Sequence, residues 1–182
     1  MNYTLTPLNP DLYCTIPMAK KQLRIDADQT FEDDLIAEYR DSAIAQVENQ
    51  CAVIFGNRDL EVAYTAFETK LILPVWPVKS ITSVEYRDIN GATQILAAAD
   101  YKLFALQQDH KAHVTILIDL PETESDNPVA VTVTAVAGTD TVPGDIKQAI
   151  KLLISDSDTY REDKPMPGTD RSVMVKLRPY KY

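Results

Sequence analysis

The chain has 182 residues, enough for one domain or a core with one insertion, and it can bury a sizeable apolar core without metal or disulfide staples. Its 18 basic and 27 acidic residues give a net charge of −9, which opposes sequence-independent binding to phosphate backbones unless positive charge is segregated. Cys14 and Cys51 lie far apart, with no apolar signal-peptide core and no apolar run near the length of a membrane span, so two buried or half-buried thiols in a soluble, reduced, intracellular protein are expected.

Residues 1–13 carry two prolines and no helical period, and read as an extended leader. Thr15 is then placed to cap a short helix, with Pro17 in its first turn and Ala19, Leu23 and Met18 as its apolar face. After a break at Asp28–Thr30, the spacing of Phe31, Leu35, Ile36, Tyr39, Ala43, Val47 and Cys51 or Ala52 predicts a long amphipathic helix. Glu32, Asp33 and Asp34 fall in its first turn, where the helix dipole favours negative charge, and Gly56 or Asn57 can end it.

From about residue 60 to 138 the texture changes to short β-branched and aromatic runs separated by turn signals. The predicted strands are EVAYTAF, KLILPV, ITSVEYRDI, TQILA, YKLFAL, VTILID and VAVTVTAVA, the last with a strict alternation that calls for one buried face. Asn90-Gly91 is the strongest hairpin signal, and a type I′ turn is expected there. Pro74 and Pro77 around Trp76 mark an edge or a corner. A last helix is predicted over 142–163, opened by Pro143 and Asp145, with Ile146, Ala149, Ile150, Leu153, Ser157 and Tyr160 as its stripe.

Helices over 15–57, an antiparallel region over 60–138, a helix over 142–163 and an extended arm over 164–182 make an α+β domain spanning 1–182. In it, a small helical bundle carries an inserted sheet. Strands do not alternate with helices, which argues against a parallel nucleotide-binding sheet. The arm concentrates Lys164, Arg171, Lys176, Arg178 and Lys181 against a single acid, Asp170. Its stretch SVMVKL alternates as a strand would, to pair with the protein's own sheet or to reach a neighbouring subunit or partner groove.

Catalytic signatures are lacking. The five glycines stand too far apart for a phosphate-cradling loop, and there is no nucleophile elbow. Asp109, His110 and His113 are the one set with metal-ligand chemistry, but they sit between predicted strands, where solvated loop histidines are the simpler reading. The carboxylates of Glu32–Asp34, and those beside Arg87 and Arg161, fit helix-end acids and surface ion pairs. Trp76, Tyr86 and Tyr101 fit a stacking platform for single strands or, more simply, strand residues packed in the core. No cofactor, metal site or catalytic set is therefore expected.

Four stretches in order resemble the head-tail connector (head-completion adaptor) proteins of long-tailed bacteriophages and prophages. AKKQLRID, Ala19 to Asp26, resembles the family's opening helix, and DDLIAEYRDSAIAQVE, Asp33 to Glu48, its second. LPVWPVKSITSVEYRDINGA, Leu73 to Ala92, is similar to the strands of its longer members. VPGDIKQAIKLLISDSDTYRE, Val142 to Glu162, with LRPYKY, Leu177 to Tyr182, resembles its closing helix and C-terminal motif.

The resemblance implies a structural virion protein and no enzyme. Such a protein forms a homo-oligomeric ring, a dodecamer by expectation, between the portal protein and further neck and tail-completion proteins, and DNA only passes through its lumen. It implies a place at the head-tail junction, after assembly in the host cytoplasm, and no membrane. The candidate contacts to the portal or an adjacent subunit are Tyr160, Arg161, Arg171, Lys176, Arg178, Pro179 and Tyr180. Acidic side chains are expected to face the lumen and repel the passing DNA. A nucleic-acid-binding accessory protein, and a small metal-dependent hydrolase using Asp109, His110 and His113, are the alternatives.

Overall fold

Two stretches of chain build each half of this protein, because a β region interrupts a helical one. The computed structural model describes residues 2–106, 110–124, 126–159, 173 and 175–180. It is α+β, with a helical unit formed by residues 9–55 and 141–182 and a β unit formed by residues 1–8 and 56–140.

The helical unit opens with a 3-10 turn at Pro10–Leu12, followed by α1 (Ile16–Leu23), α2 (Asp33–Cys51) and α3 (Gly144–Thr159), which pack on one another. The Thr15 hydroxyl accepts the Met18 N–H at 3.4 Å and Pro17 sits in the first turn, as the sequence predicts. Ala19 is buried as expected, but Met18 is exposed, and the stem of Lys20 turns inward in its place. The Lys20 ammonium is held by Asp33 at 2.6 Å and donates to the Ala27 carbonyl at 3.3 Å, so a buried cation ties α1 to the start of α2.

Two corrections apply to α2. It starts at Asp33, not Phe31, and the Phe31 ring lies outside the buried stripe of Ile36, Ala43, Ile44, Val47 and Cys51. It also stops before Gly56, because Ala52 takes the left-handed conformation (φ 54°) and Val53, Ile54 and Phe55 continue as buried, non-helical chain. Along α3 the buried set is Ile146, Ala149, Ile150, Leu153 and Ile154. The hydroxyls of Ser155, Ser157 and Thr159 bond back to carbonyls four residues earlier, which satisfies that polar helix end locally. Both cysteines are free and buried, and burial raises the Cys14 thiol pKa.

In the β unit, the strands are β1 (Asn2–Leu5), β2 (Arg58–Tyr64), β3 (Lys70–Leu73), β4 (Val78–Arg87), β5 (Thr93–Ile95), β6 (Tyr101–Leu106), β7 (Lys111–Ile116) and β8 (Val131–Ala137). One antiparallel sheet has the order β1-β2-β8-β4-β5 and the other β3-β7-β6. The predicted leader is therefore the edge strand of the larger sheet, with Tyr3 opposite Val62. The alternation of β8 is realised in full: Val131, Val133, Ala135 and Ala137 all face inward, and the strand pairs with β2 on one side and β4 on the other. Leu60, Val62, Leu71, Val84, Val114 and Val133 draw both sheets onto one core. The chain crosses from the smaller sheet to the larger at Pro74–Pro77, where the Trp76–Pro77 peptide is cis, so this segment is the predicted corner.

The β4–β5 hairpin forms, though not with the expected I′ turn. Only Gly91 has positive φ (77°), and the Asp88 carboxylate accepts the N–H groups of Asn90 (2.9 Å) and Ala92 (3.0 Å) and the Gln94 amide (3.1 Å). A side-chain-capped turn with one left-handed glycine replaces the two-residue loop. These donors, Gln94 first, hold the Asp88 carboxyl below its ordinary pKa. The cap is therefore in place above the usual aspartate range and is lost as pH falls through the depressed value. The protection factors of the Asn90 and Ala92 amides, that is, their exchange relative to the intrinsic rate at each pH, are expected to fall only in that acid window.

Gly138 follows β8 with φ 104°, and a Cβ there would lie 1.9 Å from the Gly56 carbonyl oxygen. Gly138→Ala is expected to lower stability by about 2–4 kcal/mol, from backbone strain and overpacking together, read as a drop in melting temperature by circular dichroism.

Candidate functional site

The basic C-terminal segment is the feature of the sequence that no core requirement explains. Residues 173 and 175–177 are helical and run into a 3-10 turn at Arg178–Tyr180, which corrects the strand read at SVMVKL. The reason lies in the spacing. Val173 and Leu177 are buried under either a period of two or a helical step of four, and Val175 distinguishes the two readings: it is 66% exposed. A helix puts Val175 opposite its neighbours, and a strand would have buried all three.

Tyr180 rests edge-on against Phe55, with ring centroids 5.8 Å apart at 84°. Phe55 is itself fixed by a polar node at the end of α2. Its N–H donates to Glu48 Oε1 at 3.1 Å, and the Tyr13 hydroxyl sits between that same oxygen, at 2.5 Å, and the Phe55 carbonyl. Partial burial raises the Tyr180 phenol pKa, with nearby Asp145 and Cys51 adding to it. Lys176 is half-buried, while Arg178 and Pro179 are exposed.

Four of the seven sequence-predicted contact residues, Lys176, Arg178, Pro179 and Tyr180, thus lie on one terminal turn of the helical unit; Tyr160, Arg161 and Arg171 lie outside the described residues. The Tyr13–Glu48–Phe55 node was missed in the sequence. Its only signal there is an acid on the last turns of a helix, where the dipole disfavours negative charge, so a local partner is implied.

The remaining candidates resolve as structure. Trp76, Tyr86 and Tyr101 are half-buried against the β core, and Tyr86 meets Phe67 edge-on at 5.2 Å. His110 stacks on Trp76 and His113 on Phe104, each at 5.4 Å. Asp109 lies outside the described residues, and among those described no three His, Cys, Asp or Glu side chains converge as a metal site. Asp33 pairs with Lys20, and Asp88 caps its turn.

No family model and no curated protein matches the chain in sequence. Solved structures do match in fold. A chain from the neck of an empty gene transfer agent particle, computed with C6 symmetry, is 22% identical, with a TM-score of 0.78 over 100% of this chain and 95% of its own. A chain from the virion of the native gene transfer agent particle is 22% identical, with a TM-score of 0.76 and the same coverage of 100% and 95%. One from the neck of the native particle, computed with C12 symmetry, is 20% identical, with a TM-score of 0.73, again over 100% and 95%. The helical unit, the β unit and their order along the chain are therefore a fold shared end to end with those chains.

If the terminal turn is docked as described, Leu177→Ala removes a fully buried side chain and is expected to cost about 2–4 kcal/mol. Arg178→Ala is expected to change stability by no more than about 0.5 kcal/mol. Urea denaturation of the two variants checks the contrast.

Proposed function

We propose that this chain is a structural, non-enzymatic protein of a phage-like particle, a head-tail connector that forms a ring between the portal and the neck or tail-completion proteins around the DNA channel. The observation that carries this reading is the match in fold over the whole chain to proteins of symmetric particle necks. The order of motifs from Ala19 to Tyr182 supports the connector family in particular, and so does the absence of any catalytic signature in the sequence. A ring of copies is the natural product of a heterologous interface that closes on itself.

In this reading the chain belongs to the virion at the head-tail junction and is assembled in the host cytoplasm. The C-terminal segment meets the portal or the adjacent subunit through Lys176, Arg178, Pro179 and Tyr180, together with Tyr160, Arg161 and Arg171. Lys176 and Arg178 supply the charge and Tyr180 the packed ring, and an acidic body keeps passing DNA from adhering.

Light scattering of the purified protein, alone and with its portal protein, is expected to give a ring-sized species on the portal. Lys176→Glu with Arg178→Glu is expected to weaken portal association about tenfold or more while leaving the melting temperature unchanged. A protein that ignores the portal and instead binds DNA with steep salt dependence would contradict the reading.

A further inference from the structure

The outer face of the smaller sheet has a composition unlike the rest of the chain. β3, β6 and β7 contain Lys70, Lys102 and Lys111 and no acid, in a chain of 27 acidic and 18 basic residues. Strand register places Lys70, Thr115 and Lys102 in one row across the sheet, and Ile72, His113 and Phe104 in the next. Leu106 pairs with Lys111 beyond them. The opposite face, with Leu71, Leu73, Ala112 and Val114, is buried in the core, so these rows look outward. Ile72 is 62% and Leu106 49% exposed, an unusual placement for large apolar side chains in neighbouring rows.

Phe104 is already engaged: His113 stacks parallel to its ring at 5.4 Å, and the Lys102 ammonium lies 5.4 Å from its centroid. A ring so occupied is a poor platform for a nucleic-acid base. The face fits instead a partner that brings one apolar knob with acids around it.

The same chain carries such a knob. Phe31, the residue that falls outside the α2 stripe, is 92% exposed. Asp26, Asp28 and Asp34 around it in sequence are also exposed. Desolvating an aromatic side chain against aliphatic groups, inside a rim of opposite charges, is the common anatomy of a protein interface.

We infer that the outer face of β3-β7-β6 receives the Phe31 loop of a second copy of this chain, with Phe31 against Ile72, Phe104 and Leu106 and the loop aspartates against Lys70, Lys102 and Lys111. The two patches differ, so the contact is heterologous: a pair of copies leaves the sheet face free on one and the Phe31 loop free on the other, which permits growth into a ring where the rotation closes. The inference deepens the ring reading and rests on it for closure, but it is tested on its own.

The test uses the full chain in sedimentation velocity from about 1 µM to about 1 mM. The variants are Phe31→Asp, and a sheet-face variant combining Ile72→Asp with Lys102→Glu; Lys70→Glu with Lys102→Glu replaces the latter if its circular dichroism melt shows a folding defect. Wild type is expected to self-associate, and each variant to do so about tenfold or more weakly. A mixture of the two is expected to regain association but stop at a 1:1 heterodimer, since one intact pair of patches remains.

Self-association unaffected by either variant, or a mixture that stays monomeric, would overturn the pairing and leave the ring reading standing on other surfaces. Wild type that is monomeric throughout would overturn it too, and assembly on the portal would then show whether the ring reading survives. Binding of a single-stranded DNA oligonucleotide that is lost in the sheet-face variant and kept in Phe31→Asp would assign the face to nucleic acid and overturn it as well.

Discussion

A sheet inserted between two helices must hand the chain back close to where it took it, and the rest of this structure follows from how that return is made. β2 carries the chain into the β unit and β8 carries it out, and the two are hydrogen-bonded neighbours with Arg58 opposite Ala137. Beyond that pair, Gly138 comes so close to Gly56 that it has no room for a side chain of its own. The Gly56 N–H reaches the Thr139 hydroxyl at 3.4 Å, and the Asn57 amide reaches Asp140 at 3.1 Å. Lys79 pairs with the same aspartate, and its side-chain bonds to Lys79 and Asn57 hold that carboxyl below its usual pKa. With its ends pinned, the insertion can elaborate two sheets and still leave the helical unit to close on itself.

Patterns that depend on near neighbours were readable in the sequence. The alternation in β8, the Thr15 cap with Pro17, the first half of α3 and the proline-bounded corner at Trp76 each follow from residues within one turn or one strand. What was not readable depended on distant partners. Nothing local says that β1 pairs with β2 across more than fifty residues, or that β3 joins β7 rather than β4. The Phe31 spacing matches the α2 stripe and misleads, because Asp33, drawn to Lys20, starts the helix after it. The C-terminal segment misled in a different way, since two of its three valine and leucine positions are buried under both periods and only Val175 separates them.

The candidate site was legible in the same uneven manner. A basic terminal segment stands out by composition, but its docking by Leu177 and Tyr180 depends on Phe55, which a node of Tyr13 and Glu48 holds from far away in the chain. The outer face of β3-β7-β6 was hidden for a related reason. β3 and β6 each show a lysine and an apolar residue at a period of two and β7 a lysine and a histidine, and only their cross-strand register gathers these onto one face of strands that carry no acid. Both surfaces combine a few cations with exposed apolar groups, the makeup common to protein interfaces.

If this chain is the connector proposed above, it belongs at one vertex of its particle. Immunogold electron microscopy of intact particles carrying an epitope-tagged copy of this chain tests that directly. Gold is expected at a single site per particle, where head meets tail. Particles without label, or label spread over the capsid or along the tail, would contradict it.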